Sequence, residues 1–442
     1  MNGQRSRGRV ASAATSVMCV AAAVSAVAAL PGQAWAAGEP APYAFAPDAR
    51  QITGAATTSE AKALDTGAVY RDAIKPGEKR VYRLDLTKNT SDYVSAVAVP
   101  EPGTKVAFGD KIEVSFQNRE GTDCSSNYSN FGTQGEFARP LAAYAYRVLK
   151  EGSSTCQESG PYYVVIERTS EKTSSATPWE LEIRHVTEPG LKATGPTQAP
   201  SQWPSASPEP VAGAVRERAG GNGFTDAKGL ESGEWTTKIE PGATLFYRVP
   251  VDWGQQLFAS ADLGSSDGDG FVGGALGVSL YNPALGYVSG SSSVSYDGKQ
   301  KTTSLDPLPP VAYENRFGYR SGDQDMRFAG WYYLRISLNP EVGTTFGQKP
   351  YGLTLRVDVK GTPKTGPGYD GPAGLFSVTD DDRDAAQAGQ AAPDEARSDT
   401  MALVAAGGIG TGTALVLGLG VWTLLARRGG AGGGRGGAVQ GP

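Results

Sequence analysis

Histidine is almost missing from this chain: His185 is the only one in 442 residues, and cysteine occurs three times. Zinc sites need several Cys or His at set spacings, so zinc has almost nothing to draw on here. Neither a phosphate-binding glycine loop nor a D-x-S-x-S metal motif is present. Hydrophobic residues make up only 39% of the chain, too few for a protein that crosses a membrane many times. Acidic residues are missing from both ends. None precedes Glu39 or follows Asp399, while Arg5, Arg7, Arg9, Arg427, Arg428 and Arg435 lie in those ends. The stretch between holds 46 acids against 35 bases. Nucleic acid demands clustered cationic surface, and an acidic middle does not supply it, so no nucleic-acid partner is expected.

What the ends do contain is apolar. A basic start at Arg5, Arg7 and Arg9, an apolar run from Val10 to Leu30 and the small-x-small triplet Ala34, Trp35, Ala36 make a secretory signal peptide over 1–36, cleaved after Ala36. At the other end, Met401 to Ala426 carry no charge and are followed by Arg427 and Arg428. About 20 apolar residues cross the hydrocarbon core, so 401–426 reads as a transmembrane helix. Arginines behind it put the Gly/Arg-rich tail, 427–442, in the cytoplasm. The expected product is a single-pass type I protein of the cell membrane with its ectodomain outside. Within the span, Ala406, Gly410, Ala414 and Gly418 recur every four residues, a face on which helices associate closely. A span merely rich in Gly and Ala gives the same pattern.

Two composition breaks divide the remainder. Residues 191–222, with Pro196, Pro200, Pro204, Pro208 and Pro210, read as a Pro-rich linker, and 361–400 as a disordered stalk. Domains are then expected at 37–190 and 223–360, and they repeat one another. Ile74, Pro76, Gly77, Tyr82 and Arg83 align with Ile239, Pro241, Gly242, Tyr247 and Arg248, and Tyr70 falls opposite Trp235. Val114–Phe116 matches Val278–Leu280, Ala143–Arg147 matches Ala312–Arg316, Gly160–Ile166 matches Gly330–Ile336, and Pro178–Arg184 matches Pro350–Arg356. A single period near 165 residues means tandem domains rather than a solenoid.

Each repeat is β. Arg80–Leu86 and Leu353–Val359 alternate apolar and polar side chains, the period of a strand with one wet face. Pro76–Gly77 and Pro241–Gly242 supply turn chemistry immediately before a strand. Tyr162–Tyr163 and Tyr332–Tyr333 each put one aromatic on either face, so one of each pair belongs to a core. The expected fold is all-β: two β-sandwich domains in tandem and one C-terminal transmembrane helix.

The order of these motifs, I-x-P-G, then Y-R-[LV]-x-[LV], then G-x-Y-Y-x-x-I and a closing alternating strand, resembles the bacterial pre-peptidase C-terminal domain. The resemblance implies jelly-roll-like sandwiches of the kind appended to secreted enzymes and surface proteins. The layout also resembles the membrane-proximal half of actinobacterial surface proteins that begin with a von Willebrand A domain, without that domain. Neither family supplies catalytic residues to carry over.

Four groups of residues hold what chemistry there is. Cys124 and Cys156 remain after cleavage, and an even pair in an exported chain pairs as a disulfide. Closing a loop of roughly 33 residues is worth about 3.7 kcal/mol by chain entropy. Asp262, Asp267 and Asp269 crowd a Gly-rich turn that could take calcium, the one cofactor the sequence suggests, although a solvated loop explains the same residues. Gly264, Ser266 and Gly268 satisfy G-x-S-x-G, yet no helix follows and His185 precedes it, alternating with Ile183 at a place expected to face solvent. Tyr128 and Phe131, on the long insertion Gly121–Glu136, are aromatic anchors for a partner if they are not cover for their own core.

These features point to a non-catalytic binding or scaffolding protein of the cell surface, whose partner is an envelope or extracellular ligand. Partner contact is expected on the first domain, with the second as a spacer. A secreted hydrolase, acting on peptide or carbohydrate, and an accessory subunit of a membrane complex are the alternatives.

Overall fold

The computed structural model describes residues 40–132, 135–149, 154–193, 195–206, 213–291, 294–392 and 441. The expected signal peptide, the expected 401–426 span with Ala406, Gly410, Ala414 and Gly418, and the tail expected in the cytoplasm lie almost wholly outside the described residues. Among the described residues no helix is long and apolar enough to cross a membrane.

The first repeat contains ten strands: β1 (Arg50–Gln51), β2 (Lys62–Ala63), β3 (Val69–Ile74), β4 (Lys79–Leu86), β5 (Thr90–Val99), β6 (Lys111–Gln117), β7 (Asp123–Asn130), β8 (Leu141–Arg147), β9 (Gly160–Thr169) and β10 (Trp179–Pro189). They form two sheets, β1-β3-β10-β5-β8 and β2-β4-β9-β6-β7. The second repeat contains β11 (Arg216–Glu217), β12 (Lys228–Gly229), β13 (Gly233–Ile239), β14 (Thr244–Val251), β15 (Gln256–Leu263), β16 (Val272–Tyr281), β17 (Tyr287–Gly290), β18 (Val294–Tyr296), β19 (Lys301–Ser304), β20 (Gly330–Leu338) and β21 (Tyr351–Lys360). Its sheets are β11-β13-β21-β15-β19 and β12-β14-β20-β16-β17, with β18 paired to β16. The two orders are the same, strand for strand, once the added β18 is set aside.

Register repeats as well. Arg50 faces Tyr70 and Arg216 faces Trp235; Lys62 faces Tyr82 and Lys228 faces Tyr247. Ile74 pairs with Trp179 as Ile239 pairs with Tyr351. Gly77 and Gly242 take φ of 75° and 83°, the left-handed conformation their turns require. One of the aligned segments does not survive. Leu141–Arg147 is β8, whereas Ala312 and the Tyr313–Phe317 segment form the entry to a 3-10 turn, and the strand in the place of β8 is β19. Matching Ala and Tyr at similar spacing carried no information about pairing partners.

Each sandwich buries the apolar residues of its two facing sheets. In the first, Ile74, Val94 and Ile183 meet Leu84, Val114 and Ile166; in the second, Trp235, Leu257 and Leu355 meet Val249, Val278 and Ile336. Cys124 and Cys156 are bonded, with their Cα atoms 5.8 Å apart, and tie the edge strand β7 to the segment before β9.

The segments expected to be linker and stalk pack against the sandwiches. β11 lies inside 191–222, and Gly221 pairs with Phe246, so the second sandwich starts earlier than 223. In the stalk region, Leu191 pairs with Tyr369, Phe376 is buried, and Asp380–Ala388 forms a helix, α1. Thr379 and Asp382 cap it reciprocally and Gly389 ends it. The Asp380–Asp382 run therefore starts a helix, and Asp382 also accepts from Trp331 Nε1 at 2.7 Å. Low apolar content is a poor guide here, because these segments add a few large side chains to surfaces the sandwiches already present.

The sandwiches face each other through β10, β5 and β8 of the first and β14, β16 and β20 of the second. Val97 and Ala142 pack with Phe246, Tyr281 and Tyr333, and Tyr43 and Phe224 fill the gap between them. Tyr93, Tyr144 and Val186 pack with Ala284, Phe328 and Phe376. Tyr162 and Tyr332 are core, as expected for one of each tyrosine pair. Their neighbours part company: Tyr333 is buried in the seam, while Tyr163 stays half-exposed.

Candidate functional site

A hollow of about 750 Å³ opens where the 191–206 segment crosses the second sandwich. Trp203, Trp253, Tyr313 and Pro310 wall it, with Lys192 and Lys364 among its charged residues. Local chemistry places each wall. Asp252 Oδ1 accepts from Trp253 N, Trp253 O accepts from Lys364 N at 2.8 Å, and Gly254 N donates to Val311 O at 2.7 Å. Gly366 lies so close to the indole that a Cβ there would stand 2.4 Å from Trp253 Nε1, which requires glycine. The Arg383 guanidinium of α1 bonds Asp252 at 2.7 Å and holds the turn from below. Tyr313 is capped by Arg316, 3.4 Å from its ring centroid. Gln256 Nε2 donates to both Pro204 O and Leu308 O at 2.7 Å, and among the described residues this is the polar tie that holds Trp203's segment against the sandwich.

Beside the cleft runs a buried polar network. Glu188 accepts from Arg316 (2.7 Å), Tyr93 (2.7 Å) and Tyr369 (2.8 Å). Burial alone would raise its pKa, but the Arg316 guanidinium and the two phenols outweigh this and hold it below the ordinary carboxylate value. Asp325 behaves oppositely. Burial pushes it up to about 6, although Arg327 and the Tyr144 hydroxyl, which donates to it, both favour the charged form. Groups facing Asp325 from the packed elements are Tyr144 of β8, Arg327 before β20 and Asn282 after β16.

A raised folded pKa means the folded state holds the proton more tightly than the unfolded chain. The Asp325 contribution is therefore complete below about 4 and is lost as pH rises through about 6. Between pH 7 and pH 5 this group should add about 1 kcal/mol to stability. Urea unfolding of the wild type and Asp325→Asn across that range checks it: the difference between the two should grow toward low pH, and a constant difference would remove Asp325 as the cause.

The residues singled out from the sequence are dispersed. Phe131 is 1% exposed and stacks edge-on against Trp179 in the first core, so it covers that core and cannot anchor a partner. Tyr128 is 63% exposed on β7, under Lys111. Their insertion is largely an edge strand; its Ser/Asn-rich sequence carried no apolar alternation to reveal one. Asp262 is buried and bonded to Arg356 at 2.6 Å and Gln300 at 3.3 Å, whereas Asp267 and Asp269 are exposed. Among the described residues no three His, Cys, Asp or Glu gather as a metal group. Ser266 Oγ donates to Asp267 O, its backbone N–H donates to Gly298 O, and its side chain also hydrogen-bonds Tyr351. His185 is buried rather than solvent-facing: two residues from Ile183, it shares the core face and bonds Asp92 at 3.0 Å. The cleft itself was missed, and its one local signal was Trp203, a large aromatic in a segment otherwise built of Pro, Ser and Ala.

No family model and no curated protein matches the chain. Solved structures give faint likenesses. The N-terminal CBM22-1-CBM22-2 tandem domain of Paenibacillus barcinonensis Xyn10C is 12% identical, with 70% of this chain and 100% of that one covered and a TM-score of 0.19. The Gx strain of infectious bursal disease virus gives 8% identity, 71% and 77% coverage and a TM-score of 0.21. Overlaps this slight carry no argument about function.

Proposed function

We propose that the chain is a non-catalytic binding or scaffolding protein of the bacterial cell surface, exported by 1–36 and anchored by 401–426. Its ectodomain comprises two jelly-roll-like sandwiches of the pre-peptidase C-terminal type, and its partner is an envelope or extracellular ligand. The observation that supports this best is the cleft: two tryptophans, a tyrosine and several prolines from three separate segments, tied by backbone bonds and by the Gln256 amide. Rigid aromatic and proline walls bind with little loss of side-chain entropy, and aromatic anchors dominate recognition energetics.

Purified protein should bind isolated bacterial envelope saturably, and Trp203→Ala should weaken that binding roughly tenfold or more. Trp203 lies outside both cores, so the variant keeps its fold. Equal binding by the two proteins would remove the cleft from the function. On intact cells, added protease should attack the sandwiches and spare the tail; the reverse pattern would sink the orientation.

A further inference from the structure

A smaller hollow, about 240 Å³, lies on the seam beside the disulfide. Cys124, Cys156, Thr155 and Tyr146 of the first sandwich meet Arg316, Phe317 and Arg327 of the second there. The two guanidiniums in its wall are served very differently. Arg316 is answered by both oxygens of Glu188. Arg327, only 3% exposed, is wedged among the rings of Tyr93, Tyr146 and Phe328 at 4.6–5.4 Å from their centroids.

Among the described residues Arg327 has for hydrogen bonds the Tyr144 hydroxyl, which accepts from Nη2 at 3.0 Å, while its Nε is buried with no acceptor. Among the described residues its ion-pair partner is Asp325, 3.8 Å from Nη2 and so beyond hydrogen-bond reach, and that carboxylate already takes the proton of Tyr144. A buried guanidinium whose counter-ion stands out of hydrogen-bond reach keeps donors that an anionic acceptor in the adjoining cavity would satisfy.

We propose that this cavity binds a small carboxylate ligand, its charge held by the Arg327 guanidinium and its apolar part covered by Tyr146 and Phe317. The planar guanidinium matches a carboxylate, and the cavity equals roughly eight water volumes. Aromatic rings and a disulfide make poor solvent for a doubly charged phosphate, which loses more hydration on entry. The site draws on both sandwiches, so a bound ligand would also stabilise the seam by mass action. It is separate from the aromatic cleft and does not depend on that cleft's role.

Calorimetric titration of the full-length protein at pH 7.5 and constant ionic strength, with acetate and with inorganic phosphate against a chloride reference, tests this. Wild type should bind acetate saturably and more tightly than phosphate. Arg327→Lys should weaken acetate binding at least tenfold. Thr155→Trp should do the same by filling the mouth from an exposed position with Arg327 left in place, and it decides the matter if the arginine variant does not fold. No saturable acetate heat in the wild type, unchanged binding in Thr155→Trp, or tighter binding of phosphate would each overturn the proposal.

Discussion

Replacing Arg147 by alanine is expected to destabilise the protein by about 4 kcal/mol. Arg147 ends β8, is fully buried and has no carboxylate partner among the described residues. Its guanidinium instead donates to five backbone carbonyls: Cys156 at 2.8 Å, Thr87 at 3.0 Å, Thr90 at 2.5 Å, Gln157 at 2.9 Å and Glu158 at 3.2 Å. One side chain thus joins the turn before β5 to the segment after the disulfide. Alanine leaves those oxygens buried with no donor and opens a void, and both effects act in the same direction. Lysine keeps the charge but offers three donors from a single point, so Arg147→Lys should recover only part of the loss. Urea unfolding checks both: the midpoint should fall in the order wild type, Lys, Ala with little change in slope. An alanine variant within about 1 kcal/mol of wild type would mean that water replaces the arginine at those carbonyls.

Glu188→Ala should cost a similar amount, about 3–5 kcal/mol, because it strands Arg316 as a buried cation and leaves two phenols without their acceptor. Here the damage falls on the seam. Glu188 belongs to β10, Arg316 to the second sandwich and Tyr369 to the segment after β21, so a single carboxylate holds three parts of the chain together. Limited proteolysis should therefore cut 191–222 faster in the variant, with each sandwich still resistant. Glu188→Gln should lie close to Ala, since the geometry survives and the charge does not. The pH dependence has the sign opposite to that of Asp325. With its folded pKa depressed, Glu188 contributes fully above about 4.3, its unfolded value, and the contribution is lost as pH falls through the lower folded value. An acid limb that is unchanged in Glu188→Gln would assign acid unfolding to other carboxylates.

The cleft and the network were hidden from the sequence for a definite reason. Trp203, Trp253 and Tyr313 stand fifty or more positions apart in segments without periodicity, and each segment is held by a bond to another: Gln256 Nε2 to Pro204 O, Lys364 N to Trp253 O and Ala312 N to Met326 O. Arg327 carries no local mark either: what sets it apart is a guanidinium whose Nε finds no acceptor among the described residues, and that is a fact about its surroundings. The disulfide was legible because Cys124 and Cys156 are the only cysteines between the two apolar ends, so each has only the other to pair with.

By itself the sequence determined the repeat, its strands and its turns. The alternation in Arg80–Leu86 reports which side chains must avoid water, and Pro–Gly before the strand reports a backbone that only glycine takes easily; both are properties of neighbouring residues. Tertiary structure alone decided what covers the outer faces. Tyr163 and Tyr333 occupy the same place in the same motif, yet one is half-exposed and the other buried, because only the second meets another sandwich. The same holds for His185, drawn into the first core beside Asp92, and for the linker and stalk, laid onto surfaces the sandwiches offer. Alternation distinguishes the two faces of a strand, but burial depends on contacts between residues far apart in the chain, and a local pattern does not encode those partners.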